Sequence, residues 1–448
     1  MNVQSIARDV EFRSSLAADS TAAAKYFKKT DAALASLGPP SARDEAAKKD
    51  AQDIKLRSRA AKEKFLRRHV GEIYDTVTDN GAKTLRVSEL LYTVADHFPG
   101  LLPTRQRIQG ERALKQQSAK EGLEIDQGLF LAHVLADPER GLHLVHAMLK
   151  PKREALEKFA EFQKQGAADL GEAQVERRGK VGHVTLTNAN FLNAEGDRTA
   201  ADLETAADLA LLDERIEVCV LRGGVVQHLK HPGRRIFNSG INLTHLYYGQ
   251  IAFADFIMER ELGLLNKIYR GHWRSDSYSE QFEDYAEKPW LAAVETHAIG
   301  GGCQLLCVMD RVVATHGSYF NLPASKEGFI PGSANLRLPR LVGIQLARQG
   351  IFFERKFFAD TSEGHKICDE MVAYEQMDKA IEANTSQMIR AGFTSTVSNR
   401  KALRVAEEPL SVYCHYMATY ARQQALCFYD PKLIDNLEHG WKPSSRRM

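Results

Sequence analysis

The amino-acid sequence predicts an α/β fold with a helical N-terminal domain before it and helices at its C-terminal end. Residues 21–171 are rich in Ala, Lys, Arg and Glu, with apolar residues at helical spacing. Residues 172–340 alternate strand-like and helix-like segments, which is typical of buried, largely parallel strands covered by helices. From residue 341 the pattern is helical again, so the predicted domains are residues 1–172 and 173–448.

Short patterns predict the individual elements. A break at "SLGPPSARDE" precedes a long helical run, "RDEAAKKDAQDIKLRSRAAKEKFLRRHVGEIYDTVT". Beyond residue 171, "KVGHVTLTNA" alternates as a strand and "DRTAADLETAADLALLDERI" has helical periodicity. "EVCVLRGG" and "WLAAVETHAIGGG" are predicted to be buried strands that end in glycines.

The composition is that of an ordinary globular protein. Hydrophobic residues make up 44% and charged residues 26%, and the formal net charge is +2. No global field therefore favours a nucleic acid or a membrane as partner. The N-terminus lacks the apolar segment of a secretory signal, and no run of roughly 18 apolar residues occurs. The six cysteines form no CxxC pair, and we expect a cytoplasmic protein.

The sequence contains no metal, flavin or nicotinamide signature. None of the 15 histidines forms a His-x-Asp/Glu pair, the local part of a non-haem iron site. Cys303 and Cys307, one helical turn apart in an apolar stretch, are predicted to be buried thiols. Neither a phosphate loop nor a G-x-G-x-x-G motif before a helix is present. We therefore expect neither a metal nor a cofactor.

Glycines at two turns indicate an oxyanion hole. Gly300–Gly302 lie between a strand and a predicted helix start, where backbone N–H groups have no intrahelical acceptor. In "RRIFNSGIN", Gly240 allows a tight turn that exposes the N–H of Ile241. Two such donors would stabilise negative charge on a carbonyl oxygen. Tight packing is the alternative explanation of these glycines.

Five segments occur in a characteristic order: "VTLTNANFLNAEGDRTAADLETAADL", "CVLRGG", "IFNSGINL", "KPWLAAVETHAIGGGCQ" and "NLPASKEGFIPGSANLRLPRLVG". In this order they resemble the crotonase (enoyl-CoA hydratase/isomerase) superfamily, over residues 175–400. The resemblance implies a crotonase-type ββα spiral that binds acyl-CoA thioesters. It also implies a homo-oligomer, either a trimer or a dimer of trimers. The N–H groups of Ile241 and Gly301 would then hold the thioester oxygen.

Three positions depart from the hydratases of this superfamily. The two hydratase glutamates are replaced by Gln304 and Ala324, and neither residue accepts a proton at neutral pH. Asn242 replaces the usual aspartate of its loop. Together with the long N-terminal region, these features are similar to a cofactor-independent dioxygenase branch of the superfamily. The resemblance therefore implies O2 and an aryl-acetyl-CoA as substrates.

The resemblance also implies roles for further residues. Gln304 would hydrogen-bond an oxygen of the substrate or intermediate. Glu195 and Arg260 would bind ring hydroxyls or order the pocket. The alternatives are a carboxylate favoured by a helix dipole for Glu195 and an ion pair on a solvated face for Arg260. Arg234 and Arg235 would meet the CoA phosphates, with surface charge as the alternative. The other predicted substrate-binding residues are Asn190, Ile236, Phe237, Asn238, Ser239, Gly240, Asn242, Gly300 and Gly302.

Three points of interpretation remain open in the sequence. Residues 250–287 would shape the acyl pocket, although packing at a subunit interface also explains their aromatic content. An arylacetyl-CoA hydrolase is a rival function, but both usual carboxylates for activating water are missing. RNA binding by the basic run 54–68 is a more distant alternative. That run contains one aromatic residue, Phe65, and is more typical of a solvated helix face.

Overall fold

Seven α-helices form the N-terminal part of the chain from residue 10 onward. The computed structural model describes residues 10–228, 230–274 and 285–441. The carboxylate of Asp44 accepts a hydrogen bond from Ala47 N–H at 2.8 Å and so caps the start of α2. The helices are α1 (Leu16–Ala35), α2 (Glu45–Thr78), α3 (Val87–His97), α4 (Arg105–Arg112), α5 (Glu124–Ala136), α6 (Pro138–Met148) and α7 (Arg153–Gln165).

The basic run 54–68 lies within α2, where acidic side chains pair with several of its charges. The Lys62 ammonium is buried and lies 2.5 Å from Asp126. Arg57 lies 2.6 Å from Asp53, and the ring of Phe65 is buried in the core. These contacts favour a structural role for this run over nucleic-acid binding.

A seven-stranded sheet, in the order β1-β2-β3-β4-β9-β11-β14, forms the centre of the second part. Its first three strands are antiparallel neighbours, and the pairs from β3 onward are parallel. The central strand β9 is buried throughout, as expected for a parallel sheet covered on both faces. The sheet consists of β1 (Ala167–Asp169), β2 (Ala173–Arg178), β3 (Val181–Leu186), β4 (Val218–Gly223), β9 (Trp290–Val294), β11 (Arg311–Thr315) and β14 (Glu370–Val372).

Shorter strands form three further sheets among the described residues. A three-stranded sheet in the order β10-β12-β13 carries the glycine run at the end of β10. Two antiparallel pairs, β5–β6 and β7–β8, complete the strands. Their bounds are β5 (Val225–His228), β6 (His231–Arg235), β7 (His272–Trp273), β8 (Tyr285–Ala286), β10 (His297–Ile299), β12 (Tyr319–Asn321) and β13 (Phe357–Phe358).

Helices cover the sheets and extend to the C-terminal end of the described chain. Two π-helical segments, Phe253–Met258 and Arg260–Leu265, precede α10, and such segments are frequent at functional sites. Within the described ranges, no helix is both long and apolar enough to cross a membrane. The α-helices are α8 (Asp197–Leu212), α9 (Leu243–Tyr247), α10 (Asn266–Arg270), α11 (Gly301–Leu306), α12 (Ala324–Glu327), α13 (Ala334–Val342), α14 (Ile344–Phe353), α15 (Met377–Arg390), α16 (Phe393–Glu407), α17 (Leu410–Cys427) and α18 (Pro431–Asp435).

The N-terminal helices share one hydrophobic core with the C-terminal helix α17. Helices α5 and α17 approach so closely that a Cβ at Gly128 would lie 2.4 Å from the Ala425 Cβ. Strand β1 precedes residue 172 and pairs with β2, which follows it. The N-terminal helices therefore support α17, and the predicted boundary at residue 172 stays a prediction.

Candidate active site

Backbone hydrogen bonds join the loop before α8 to the loop before α9. Glu195 N–H donates to the Gly240 carbonyl, and Asn242 N–H donates to the Glu195 carbonyl, each at 2.7 Å. Gly240 has φ +82°, a left-handed conformation that favours glycine. Between these bonds lies Ile241, whose N–H has no acceptor among the described residues. The loop therefore leaves one backbone donor available.

The glycine run brings a second N–H group to the same place. Helix α11 begins at Gly301, so this N–H belongs to the helix-start donors, and no described residue accepts from it. A Cβ at Gly240 would lie 3.4 Å from the Gly301 nitrogen and 2.9 Å from the Ile299 carbonyl oxygen. The two loops thus pack backbone against backbone, and Ile241 and Gly301 line one cleft. This is the arrangement that the glycines predict for an oxyanion hole.

Arg260 is the centre of a buried polar network behind the glycines. Its Nε and Nη2 bind the Glu195 carboxylate at 2.6 and 2.8 Å. Its Nη1 donates to Glu261 at 2.9 Å and to Gln304 at 2.7 Å, and Nη2 also donates to the Gly301 carbonyl at 2.9 Å. All five N–H donors of the guanidinium are therefore used within the protein. Burial alone would lower the pKa of Arg260, but the adjacent carboxylates raise it above its ordinary value.

The contact with Arg260 determines the orientation of the Gln304 amide. A guanidinium only donates hydrogen bonds, so the atom of Gln304 that lies 2.7 Å from Arg260 must be the amide oxygen. The amide NH2 then has no acceptor among the described residues, and Gln304 lines the cleft. The side chain can therefore donate to an oxygen of a bound molecule.

About 540 Å³ of space lies between the walls of the cleft, and this value includes a part that is open to solvent. Residues 250–287 contribute Phe256 and Ile257 to its wall, whereas positions 275–284 lie outside the described residues. A largely apolar cleft with a few polar groups suits a small aromatic acyl group. The apolar lining residues are Ile241, Phe256, Ile257, Leu322, Pro323, Ala324, Phe329, Ile330 and Pro331.

Four polar side chains in the cleft were not predicted, namely Glu261, Glu327, Tyr420 and Gln424. Helix α17 contributes Tyr420 and Gln424, and no sequence signal indicated that this distant helix reaches the site. Burial raises the pKa of Tyr420 well above its usual value, so its hydroxyl stays protonated. Glu327 also lines the cleft, three residues after Ala324 and therefore on the same face of α12. The glutamate in "NLPASKEG" was a signal that could have been recognised.

Several side chains predicted to bind substrate instead support the loops. Asn238 donates to the Glu195 carboxylate and accepts from Gly240 N–H, both at 2.7 Å. Asn242 caps α9 by accepting from the N–H groups of Thr244 and His245. Two neighbours of Asn238 in the chain are also buried, namely Ile236 and Phe237.

Most of the other predicted residues lie outside the wall of the cleft, and Gly300 is the exception. Asn190 is exposed. The guanidinium of Arg234 stacks 4.2 Å from the ring centre of Tyr374. Gly300 lines the cleft. Arg235 donates a hydrogen bond to the Gly223 carbonyl at 3.2 Å, and Ser239 donates one to the Leu192 carbonyl at 2.8 Å. Gly302 is packed so closely that an added Cβ would lie 2.7 Å from the Asn238 carbonyl oxygen. Binding of CoA by these residues stays a prediction.

No cysteine or histidine is among the described residues that line the cleft. Among the described residues, no group of three or more His, Cys, Asp or Glu side chains is arranged to hold a metal ion. Cys303 is buried and Cys307 is half-buried, and neither is in a disulfide. Burial raises the pKa of Cys307 to about 12, so this thiol stays protonated at neutral pH. The absence of a metal and a cofactor from the functional protein stays a prediction.

Glu327 should make the stability of the protein depend on pH. Burial first, and then the charge of Glu354, raise the pKa of Glu327 to about 8, and Lys326 opposes this shift. Because the pKa is higher in the folded protein than in the unfolded chain, proton binding by Glu327 stabilises the fold. This contribution is complete below pH 4.5, the ordinary pKa, and is lost as pH rises through about 8. We expect Glu327→Gln to raise the free energy of unfolding by about 1–3 kcal/mol at pH 9 and to leave it nearly unchanged at pH 4. Urea unfolding at both pH values measures this, and equal stabilities at pH 9 would contradict the raised pKa.

The chain resembles known proteins over most of its length. The family described as enoyl-CoA hydratase/isomerase matches residues 176–417. The chain is 44% identical over 416 residues to (3,5-dihydroxyphenyl)acetyl-CoA 1,2-dioxygenase of Amycolatopsis orientalis. The aligned region covers 93% of this chain and 94% of that protein. It is 28% identical over 194 residues to a short-chain-enoyl-CoA hydratase of Clostridium acetobutylicum, which covers 43% of this chain and 65% of that protein.

A solved structure shares the fold. OdaA of Pseudomonas aeruginosa matches with a TM-score of 0.50 and 16% sequence identity, over 61% of this chain and 100% of that chain. This likeness concerns the fold alone, and the match to the enoyl-CoA hydratase/isomerase family confirms the predicted crotonase-type α/β architecture. The family match and the extended identity to a curated relative lead to one conclusion. The chain belongs to the enoyl-CoA hydratase/isomerase family, the crotonase superfamily.

Proposed function

We propose that this protein is a cofactor-independent dioxygenase that converts 3,5-dihydroxyphenylacetyl-CoA and O2 to 3,5-dihydroxyphenylglyoxylate and CoA. The identity to the Amycolatopsis orientalis dioxygenase carries the proposal, because it spans 93% of this chain and so includes most of the N-terminal helices. Gln304 and Ala324, which replace the hydratase glutamates, agree with it. We further propose that the product supplies dihydroxyphenylglycine for antibiotic biosynthesis.

The first chemical task is to stabilise an enolate. The thioester oxygen accepts hydrogen bonds from the N–H groups of Ile241 and Gly301, which have no acceptor among the described residues. Loss of a C2 proton then places negative charge on that oxygen, where two preorganised donors stabilise it. Arg260 acts as a positioning residue, because it binds the Gly301 carbonyl and the Glu195 side chain.

The second task is to let O2 react before water does. The enolate is electron-rich at C2 and reduces O2 to a peroxide bonded at that carbon. The peroxide attacks the thioester carbonyl and expels CoA, and loss of the second C2 proton with cleavage of the O–O bond yields the keto acid. The Gln304 amide donates to a substrate or peroxide oxygen. The apolar side chains of Phe256, Ile257 and Phe329 exclude water from the carbanion.

An oxygen electrode provides the direct test. We expect chelator-treated protein supplied with 3,5-dihydroxyphenylacetyl-CoA to consume one O2 for each free thiol released. The rate should be unchanged by chelation, because the proposed reaction uses no metal. Thiol release without O2 uptake would overturn the proposal and identify an arylacetyl-CoA hydrolase. Loss of O2 uptake on chelation would contradict cofactor independence. The homo-oligomer and the cytoplasmic location stay predictions from the sequence.

A further inference from the structure

The polar groups of the cleft differ in whether they are already hydrogen-bonded or ion-paired with other residues of the protein. The carboxylates of Glu195 and Glu261 are both bound to Arg260, and Glu261 also accepts from the N–H and hydroxyl of Ser333 at 2.8 and 2.7 Å. The carboxyl of Glu327 has no hydrogen bond or ion pair with any other described residue. Glu327 therefore offers an uncommitted carboxyl group in the cleft.

The other cleft residues are poorly suited to accept a proton from carbon. The amides of Gln304 and Gln424 are not bases, and the Gln424 oxygen already accepts from Ile330 N–H at 2.9 Å. Tyr420 retains its proton, because burial raises its pKa well above the usual value. Arg260 is a cation with all its donors in use. Among the described lining residues, this leaves Glu327 as the available proton acceptor.

The backbone around Glu327 holds its side chain at the cleft. Glu327 is the last residue of α12, and its N–H donates to the Pro323 carbonyl at 3.0 Å. Gly328 then ends the helix with φ +79°. The chain continues through Phe329 and Ile330, which line the same cleft. The carboxyl group thus belongs to a well-defined wall of the space that Ile241 and Gly301 also line.

We propose that Glu327 is the catalytic base that removes the C2 proton of the aryl-acetyl thioester, a role that rests on the proposed dioxygenase function. The C2–H bond breaks and an O–H bond forms on the Glu327 carboxylate. The electron pair of the C2–H bond moves into the enolate, whose oxygen the N–H groups of Ile241 and Gly301 hold. O2, the second substrate, oxidises the enolate in the following step.

The electrostatic surroundings suit such a base. The pKa of Glu327, raised to about 8 chiefly by burial, makes its carboxylate a stronger proton acceptor than an exposed one. A catalytic pKa near the working pH combines adequate basicity with an adequate ionised fraction. The charged groups around it are Lys326 and Glu354 and, in the cleft, the buried cluster of Arg260, Glu195 and Glu261.

Deuterium exchange without O2 tests this role separately from dioxygenation. Protein and 3,5-dihydroxyphenylacetyl-CoA are incubated anaerobically in D2O, and mass spectrometry follows deuterium entry at C2. We expect Glu327→Gln to slow exchange at least about 100-fold, the usual scale of a lost general base, and Glu327→Asp to retain part of the rate. Binding of 3,5-dihydroxybenzoyl-CoA, which has no C2 hydrogen, should change less than about threefold, because the amide keeps the size of the side chain. Glu382→Gln, at an exposed glutamate of α15, is the matched control.

The outcomes separate the base from the reaction that follows it. Slow exchange with intact binding in Glu327→Gln, and normal exchange in Glu382→Gln, would support the assignment. Exchange at the unchanged rate in Glu327→Gln would overturn it, even where the unmodified protein consumes O2. A third outcome is that the unmodified protein exchanges deuterium, that Glu327→Gln does not, and that the unmodified protein consumes no O2 in air. This outcome would support Glu327 as the base and overturn the dioxygenase function. Equal loss of exchange and of binding in both Glu327 variants would overturn the assignment in favour of a structural role.

Discussion

Arg260→Met is expected to lower the free energy of unfolding by about 3–5 kcal/mol, because it removes one partner of a buried ionic network. The guanidinium contacts the carboxylates of Glu195 and Glu261, and all three side chains are at most 4% exposed. Without Arg260, two buried carboxylates lose their cation, and the desolvation cost of their charge is no longer offset. The Gln304 oxygen and the Gly301 carbonyl lose their donor as well. We expect no detectable turnover from the folded fraction.

Chemical denaturation and the oxygen electrode measure this effect together. Arg348→Met, at an exposed arginine of α14, is the matched control and should change stability by less than about 0.5 kcal/mol. Arg260→Lys should be intermediate in stability and still poor in activity, because an ammonium cannot reproduce the planar set of five donors. Adding Glu195→Gln to Arg260→Met should recover part of the stability by removing one unpaired charge. A stability near that of the unmodified protein for Arg260→Met would contradict the central role of this network.

Gly301→Ala is expected to lower kcat about 100- to 1,000-fold, the usual cost of losing one oxyanion-hole donor. A Cβ at this position would lie 2.7 Å from Glu195 Oε1 and 2.9 Å from Arg260 Nη2. Since both atoms belong to the buried network, the start of α11 must shift instead, and the N–H of Gly301 shifts with it. The methyl group itself adds about 1–3 kcal/mol of overpacking strain.

Steady-state measurements of O2 uptake and CoA release distinguish this effect from weaker binding. We expect kcat to fall much more than KM rises, because the N–H group acts mainly on charge that develops during the reaction. Gly110→Ala is the matched control, since Gly110 lies in α4 and a Cβ there would have no neighbour within 4 Å. It should leave kcat unchanged and stabilise the helix slightly. A normal kcat in Gly301→Ala would exclude this N–H from the proposed oxyanion hole.

Local sequence patterns were sufficient to predict the backbone of the site. The turn at Gly240 depends on a left-handed conformation that few residues other than glycine adopt. The helix start at Gly301 depends on N–H donors that every helix start leaves without an intrahelical acceptor. Both properties arise within a few neighbouring residues. The alternation of strands and helices after residue 171 is equally local. For the same reason, the replacement of the hydratase glutamates by Gln304 and Ala324 was visible in the sequence.

The partners of the side chains could not be predicted in the same way. The sequence was compatible with two roles for Arg260. It could belong to the pocket, or it could form an ion pair with its neighbours on a solvated face. In the structure it is buried, and it joins Glu195, from the loop before α8, to Gln304 and Gly301 of α11. Asn238 and Asn242 hold the loops in place through hydrogen bonds within the protein, and their binding of substrate stays a prediction.

Sequence by itself determined the fold family, the two backbone donors and the loss of the hydratase carboxylates. Tertiary structure alone decided which side chains enter the cleft. Tyr420 and Gln424 reach it because α17 packs against α5 of the N-terminal helices, a contact that requires Gly128. Glu327 became a candidate base only when the other acidic groups of the cleft proved to be bound to Arg260. Backbone conformation follows from near neighbours, whereas the convergence of distant side chains depends on how the whole core packs.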